Sequence, residues 1–252
     1  MERVDNVIAI IGMDLDSNTY VFDDVIVDPG TGRNINYLAD SLKEAGKSFD
    51  DFNRIVNTHC HFDHVGGDEY LQKEYGLEVY MHEEDAKFIE NEDGDTTVST
   101  SFGSRVPDIN INKLKEGDMI NDFKVLNTPG HTIGGICLYD GKSLIAGDTV
   151  FSNGSFGRSD YPTGNTDEMK KSLARLAQLD VKNLFTGHGP YIVGEGNRHV
   201  KLSSDNANKW YWIYFKYSSG RYFFKNIPLF KNLKNYFLIF FIIFILIFTK
   251  FY

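Results

Sequence analysis

Short apolar, β-branched blocks alternate with amphipathic stretches along most of the chain. Asp5 to Met13 and Ser17 to Val27 have the apolar, β-branched character of strands, and the polar Asp14–Asn18 stretch connects them. Asp28-Pro29-Gly30-Thr31-Gly32 breaks the pattern. From Asn34 to Ala45 the period becomes helical, with Ile35, Leu38, Leu42 and Ala45 on one face and Gly46 placed to end the helix. Arg54 to Thr58 is a short buried strand that stops directly before His59, and Phe123 to Asn127 is another, running into Thr128-Pro129-Gly130-His131. Ile136 to Tyr139 and Ser143 to Ala146 predict a hairpin across Asp140-Gly141, a dipeptide suited to the positive φ of a tight turn. Asn165 to Leu179 predicts a helix buried through Met169, Leu173 and Leu176. It opens with a capping-box pattern in which Asn165 reaches forward and Glu168 back. Asn183 to Thr186 is a last short strand, ending at Gly187-His188-Gly189. Asp85 to Ile111, rich in Ser, Thr, Asp and Asn, is expected to be loop or cap.

Composition narrows this to a folded α/β (α+β) chain: of 252 residues, 42% are apolar and 24% charged, too apolar for a disordered polymer. Cys60 and Cys137 form no CxxC pair and are too few for a disulfide scaffold, which favours a reducing compartment. The start, MERVDNVIAIIGM, carries acidic residues early and lacks a small-residue cleavage site, so no signal peptide and a cytoplasmic location are expected. Charge is unevenly spread. Residues 1–208 hold 19 basic and 35 acidic side chains, a net of −16, whereas residues 209–252 hold seven basic and no acidic ones. A body this acidic argues against nucleic acid as a partner, since that affinity rests on neutralising phosphates.

The candidate chemistry lies where strands give way to loops. His59, His61 and His64 fall with Asp63 in THCHFDHVGG, His131 in TPGHT, His188 in TGHGP, and Asp148 ends a strand in AGDTV. Strand ends let a rigid scaffold aim loop side chains at a common point. Alternation puts His59 and His61 on one side, while Asp63 and His64 start the next helix and face a second centre. Cys60, between them, faces the opposite way as a small core residue. Imidazole with carboxylate suits Zn²⁺ or a related first-row ion better than Ca²⁺ or Mg²⁺. His82 and His199 sit outside the pattern and are read as ordinary hydrogen-bonding residues.

NTHCHFDHVGG, TPGHT, AGDTVF and TGHGP, in this order and spacing, resemble the metallo-β-lactamase superfamily over about Val7 to Val200. The resemblance implies a four-layer αββα sandwich with a metal site at one edge of its two sheets. It also implies two divalent ions, zinc first, with iron or manganese as alternatives. His59, His61 and His131 would hold the first ion, Asp63, His64 and His188 the second, and Asp148 would bridge them. An Asp rather than a Cys at 148, with GDTVFSNGSFGRSD after it, is similar to the glyoxalase II-like branch (hydroxyacylglutathione hydrolases and relatives). Nothing after His188 resembles that enzyme's glutathione-gripping helical domain. The implied reaction is attack of a metal-bound hydroxide on a small acidic thioester or ester, with Asp63 also taking up a proton. Two divalent ions against Asp63, Asp148 and hydroxide leave roughly one net positive charge, which favours an anionic substrate. Arg158 is the candidate for holding a substrate carboxylate, or else pairs with Asp160. The same motifs fit a persulfide dioxygenase with one iron on His59, His131 and Asp148. A nuclease of the superfamily is disfavoured by the acidic body.

We therefore read residues 1–208 as a hydrolase domain and 209–252 as a separate tail. Of the tail's 44 residues, 36 are Phe, Ile, Lys, Asn, Tyr or Leu, residues with codons made only of A and T, as in translation beyond a frameshift. Alternatively Tyr236 to Phe248, an apolar run of 13, is a membrane anchor. As a helix that run would span ~20 Å, short of the ~30 Å hydrocarbon core.

Overall fold

The computed structural model describes residues 2–218. Twelve strands and six helices follow one another there. The first sheet runs β1 (Glu2–Val4), β2 (Val7–Ile10), β3 (Thr19–Phe22), β4 (Val25–Val27), β5 (Arg54–Val56), β6 (Glu78–His82) and β7 (Ile111–Leu114), in that spatial order. Its first four strands are antiparallel neighbours and its last four parallel ones. The second sheet contains β8 (Met119–Ile120), β9 (Phe123–Asn127), β10 (Ile136–Tyr139), β11 (Ser143–Gly147) and β12 (Asn183–Thr186), in spatial order β12-β11-β10-β9-β8. The helices are α1 (Ile35–Glu44), α2 (Phe62–Val65), α3 (Asp68–Tyr75), α4 (Glu83–Glu90), α5 (Thr166–Leu176) and α6 (Gly196–Ser218).

The period of two along each strand dictates the layers. Val7, Ala9, Tyr20, Phe22, Val25, Val27 and Val56 face Phe123, Val125, Ile136, Leu138, Ile145 and Phe185 in one inter-sheet core. Phe22 stacks on Phe123 at 4.3 Å and Tyr20 on Phe185 at 5.1 Å, pinning the sheets together. The intervening residues point outward. Ile8, Ile10, Val21, Ile26 and Ile55 pack with Leu38 and Leu42 of α1 and Leu71 of α3. On the far side Leu126, Cys137, Leu144, Ala146 and Leu184 pack with Met169, Leu173 and Leu176 of α5 and Val200 and Ala207 of α6. Helix, sheet, sheet, helix is the αββα sandwich that the resemblance implied.

Three local expectations need correction. The Asp5–Met13 segment keeps a strand only at Val7–Ile10, its start being the turn of a hairpin with β1 (Val4 pairs with Val7), and the Ser17–Val27 segment is itself a hairpin and not a single strand (Phe22 pairs with Val25). Their two-residue turns carry Asp5 (φ 54°) and Asp23 (φ 47°) in the left-handed region, which Asp tolerates through local side-chain hydrogen bonding. Within 85–111, α4 forms because Ala86 and Ile89 bury one face and the His82 Nδ1 accepts the Glu84 N–H at its start; residues 91–110 carry no helix or strand. The capping box of α5 is half made. Asn165 Oδ1 accepts the N–H groups of Asp167 and Glu168, but Glu168 pairs with Lys171, because the Asn165 N–H already donates to the Gly130 carbonyl. Replacing Asn165 with Ala is expected to lower unfolding free energy by ~1 kcal/mol in a urea titration. Helix α6 adds Val200, Ser203 and Ala207 to the buried set and runs past residue 208.

The chain divides into two units, Met1–Lys209 and Trp210–Tyr252. The apolar run 236–248, and with it the choice between frameshift and anchor, lies outside the described residues. Among the described residues no helix is long and apolar enough to cross a membrane.

Candidate metal centre

Strands β9, β11 and β12 run in one direction, as do β4 and β5, and their carboxyl ends converge. Asp28 follows β4, His59 and His61 follow β5, His131 follows β9, Asp148 follows β11 and His188 follows β12. His61 is the N-cap residue of α2, whose first turn supplies Asp63 and His64. All seven expected side chains meet at this edge. Ligand atoms of His59, His61 and His131 lie within 4.8 Å of one another, as do those of Asp63, His64 and His188, and of His59, His64 and Asp148. Asp148 straddles the two triads. Its Oδ2 is 3.5 Å from His131 Nε2, and its Oδ1 is 3.4 Å from His64 Nε2 and 3.7 Å from His188 Nε2. Gly187 leaves the room for this: a Cβ there would sit 2.1 Å from Asp148 Oδ1.

Hydrogen bonds behind the imidazoles fix which nitrogen carries the proton. Thr58 Oγ1 donates to Asp28 Oδ2 (2.7 Å), so it accepts from His59 Nδ1 (3.1 Å) and leaves His59 Nε2 a bare lone pair. Asp28 Oδ2 also accepts from His64 Nδ1 at 2.9 Å, and the Arg158 carbonyl accepts from His131 Nδ1 at 2.6 Å. The Nε2 atoms of His59 and His64, and Asp148 Oδ1, are buried with no hydrogen-bond partner. His131 Nε2 and His61 Nδ1 approach to 3.0 Å. Buried acceptors aimed at one another are repulsive unless a proton or a cation sits between them, so the donor set fits two divalent ions. Zinc, iron and manganese all accept imidazole and carboxylate.

Electrostatics agree with that charge pattern. Burial and the neighbouring imidazoles push His59 well below its usual range, and burial and His131 bring His61 to about 3. Burial works against charge on His64 too, but the carboxylates of Asp28, Asp148 and Asp63 outweigh it and hold the ring well above its usual range. Asp148 and Asp63 are held low despite burial, chiefly by His64.

Asp28 is the supporting residue that the sequence pattern missed; its place at a strand end before Pro29 was the available sign. A second is Asp85, which is wholly buried and joins two ligand loops. Its Oδ2 accepts from the Cys60 N–H (3.0 Å) and Thr132 Oγ1 (2.7 Å), and its Oδ1 from the Gly134 N–H (2.6 Å). No motif points to it. Arg158 stands at the rim: its guanidinium is exposed, pairs with Asp160 (2.8 Å) and lies 4.7 Å from the ring centre of Tyr161. Tyr161 in turn meets the His61 ring edge-on at 4.9 Å. Cys60 is fully buried in a satellite core with Val65, Met81 and Ala86.

Residues 12–188 match the sequence profile described as the metallo-beta-lactamase superfamily. The chain belongs to that superfamily. Across 194 residues it is 31% identical to a probable metallo-hydrolase of Methanocaldococcus jannaschii, covering 73% of this chain and 92% of that one. A hydroxyacylglutathione hydrolase of Maricaulis maris is 34% identical over 175 residues, covering 66% of this chain but 59% of its own length. Superfamily members of this glyoxalase II-like branch are thus among its relatives, and this chain spans less than two thirds of the Maricaulis one. Among solved structures, TTHA1623 in a di-iron-bound form superposes with a TM-score of 0.65 at 28% identity, covering 79% of this chain and 96% of that one. The FEZ-1 metallo-β-lactamase of Legionella gormanii gives a TM-score of 0.67 at 19% identity, covering 85% and 95%, which speaks for the fold alone.

Proposed function

We propose that this metallo-hydrolase cleaves small anionic thioesters or esters at a dinuclear centre, in the manner of the glyoxalase II-like branch. The observation that carries the reading is Asp148, whose two oxygens address both triads at once. His59, His61 and His131 would hold one ion, Asp63, His64 and His188 the other, and Asp148 both. Such ions lower the pKa of coordinated water toward ~7 and polarise a carbonyl oxygen.

The residues of the chain then do the following. Asp28, Thr58 and the Arg158 carbonyl keep the Nδ1 protons on His64, His59 and His131, so each ring offers Nε2 to the centre. Asp63 Oδ2, 3.1 Å from His188 Nε2 on the more exposed side of the centre, takes up the proton released at the nucleophile. The Arg158–Tyr161 pair forms a rim at which a substrate carboxylate is held by the guanidinium, in exchange for Asp160. Replacing Arg158 with Ala is expected to raise KM more than it lowers kcat, because an interaction that only binds is lost equally from ground and transition states.

The test pairs metal analysis with a substrate panel. About two ions per chain and cleavage of acidic thioesters support the reading. One iron per chain, with oxygen uptake on persulfides and no thioester cleavage, would replace it with the dioxygenase.

A further inference from the structure

Helix α6 grips the segment that follows Asp148. The Asn153 N–H donates to His199 Nδ1 (2.8 Å), Asn206 Nδ2 donates to the Gly154 carbonyl (3.0 Å), and Ser203 Oγ donates to the Ser155 carbonyl (2.8 Å). Residues 199, 203 and 206 are spaced by four and three, so one helical face meets three successive backbone units. The gripped turn is a tight one. Asn153 sits at φ 57°, and a Cβ on Gly154 would lie 2.5 Å from Leu202 Cγ. Beyond it the chain doubles back: Val150 bridges Phe156, and Gly157 passes so close that a Cβ there would lie 1.8 Å from the Asp148 carbonyl. The next residue, Arg158, presents the carbonyl that accepts from His131 Nδ1 at 2.6 Å.

We propose that His199, Ser203 and Asn206 are positioning residues for the first ion site, acting through residues 153–158. By fixing Asn153 to Ser155 they fix where the Arg158 carbonyl stands, and that carbonyl sets both the tautomer and the ring plane of His131. Partners of this kind, behind a ligating imidazole, typically change metal affinity by 10–100-fold when lost. His199 contributes through an unprotonated Nδ1, a role that an Asn side-chain oxygen fills at nearly the same reach from the helix. The inference rests on His59, His61 and His131 holding a metal ion.

The test uses the metal-free full chain titrated with Co²⁺, followed by visible absorption, with thermal unfolding measured alongside. Wild-type protein is expected to bind two Co²⁺. His199→Leu and Asn206→Ala are expected to weaken one of the two by about tenfold or more and to alter its absorption bands, leaving the other within about threefold. His199→Asn is expected to restore both affinity and spectrum, which a merely structural role for the imidazole ring would not predict. Should His199→Leu fail to fold, Asn206→Ala and Ser203→Ala carry the same comparison. Variants that bind both ions with wild-type affinity and spectra would overturn this inference alone. Wild-type protein that binds no Co²⁺ would overturn the metal reading and this inference with it.

Discussion

Withdrawing the metal with a chelator is expected to abolish hydrolysis and to lower the melting temperature of the chain, both recovered on adding Zn²⁺ or Fe²⁺. The reason is the crowd of acceptors left behind. Without a cation the buried His59 Nε2 has no hydrogen-bond partner, and only a proton on His64 offsets the charge of Asp148. An ion at a thousandfold excess over its dissociation constant stabilises the folded state by ~4 kcal/mol per site, and two sites approach the whole stability of an ordinary domain. Removing one ligand tests the same point locally. His61→Ala and Asp63→Asn are each expected to lower turnover by about 10²-fold or more in steady-state assays with metal in excess. Full activity in either variant would remove that residue from the centre.

The second large effect is on pH. In the metal-free chain His64 stays protonated well above its ordinary range, since three carboxylates overcome the burial that disfavours charge. A bound ion needs the Nε2 lone pair, so it must displace that proton. Between about pH 6.5 and the raised value, the second site's affinity should therefore rise by roughly tenfold per pH unit, with about one proton released per ion. The sign follows from the metal-free state binding more protons than the loaded one. Isothermal titration in two buffers of different ionisation heat measures the release. In Asp28→Asn, which removes the anion behind His64 Nδ1, the dependence should flatten and shift to lower pH while affinity above pH 8 falls by about 10–100-fold. A pH-independent affinity in the wild-type chain would contradict the protonated His64.

Much of this centre was legible in the sequence because its ligands are tied to strand ends. β9 and β10 begin and end where the apolar pattern does, and a residue one to four steps beyond a buried strand has few directions in which to point. His59, His131, Asp148 and His188 inherit their convergence from that geometry. The misses have a different origin. The turns at Asp5 and Asp23 contain no glycine, so the left-handed conformation left no mark in composition. Helix α4 buries two small patches, Ala86 and Ile89, too few to set a period, and its Asp85 matters through backbone groups of Cys60 and Gly134 that lie far away in sequence. Asn165 looked like one half of a reciprocal cap, and only the fold reveals that Gly130 already satisfies the other half. Contacts made between a side chain and remote main chain are the class that no linear pattern records.

Asp28 has one further consequence. A single oxygen, Oδ2, receives both the Thr58 hydroxyl that backs His59 and the Nδ1 proton of His64. Ligands proposed for both ions thus lean on the same atom. With both ions bound as proposed, a shift in that carboxylate when one site fills would reach the other, and loading would be a linked equilibrium. Reciprocity then requires that the factor by which the first ion changes the second's affinity equals the factor read in the other order.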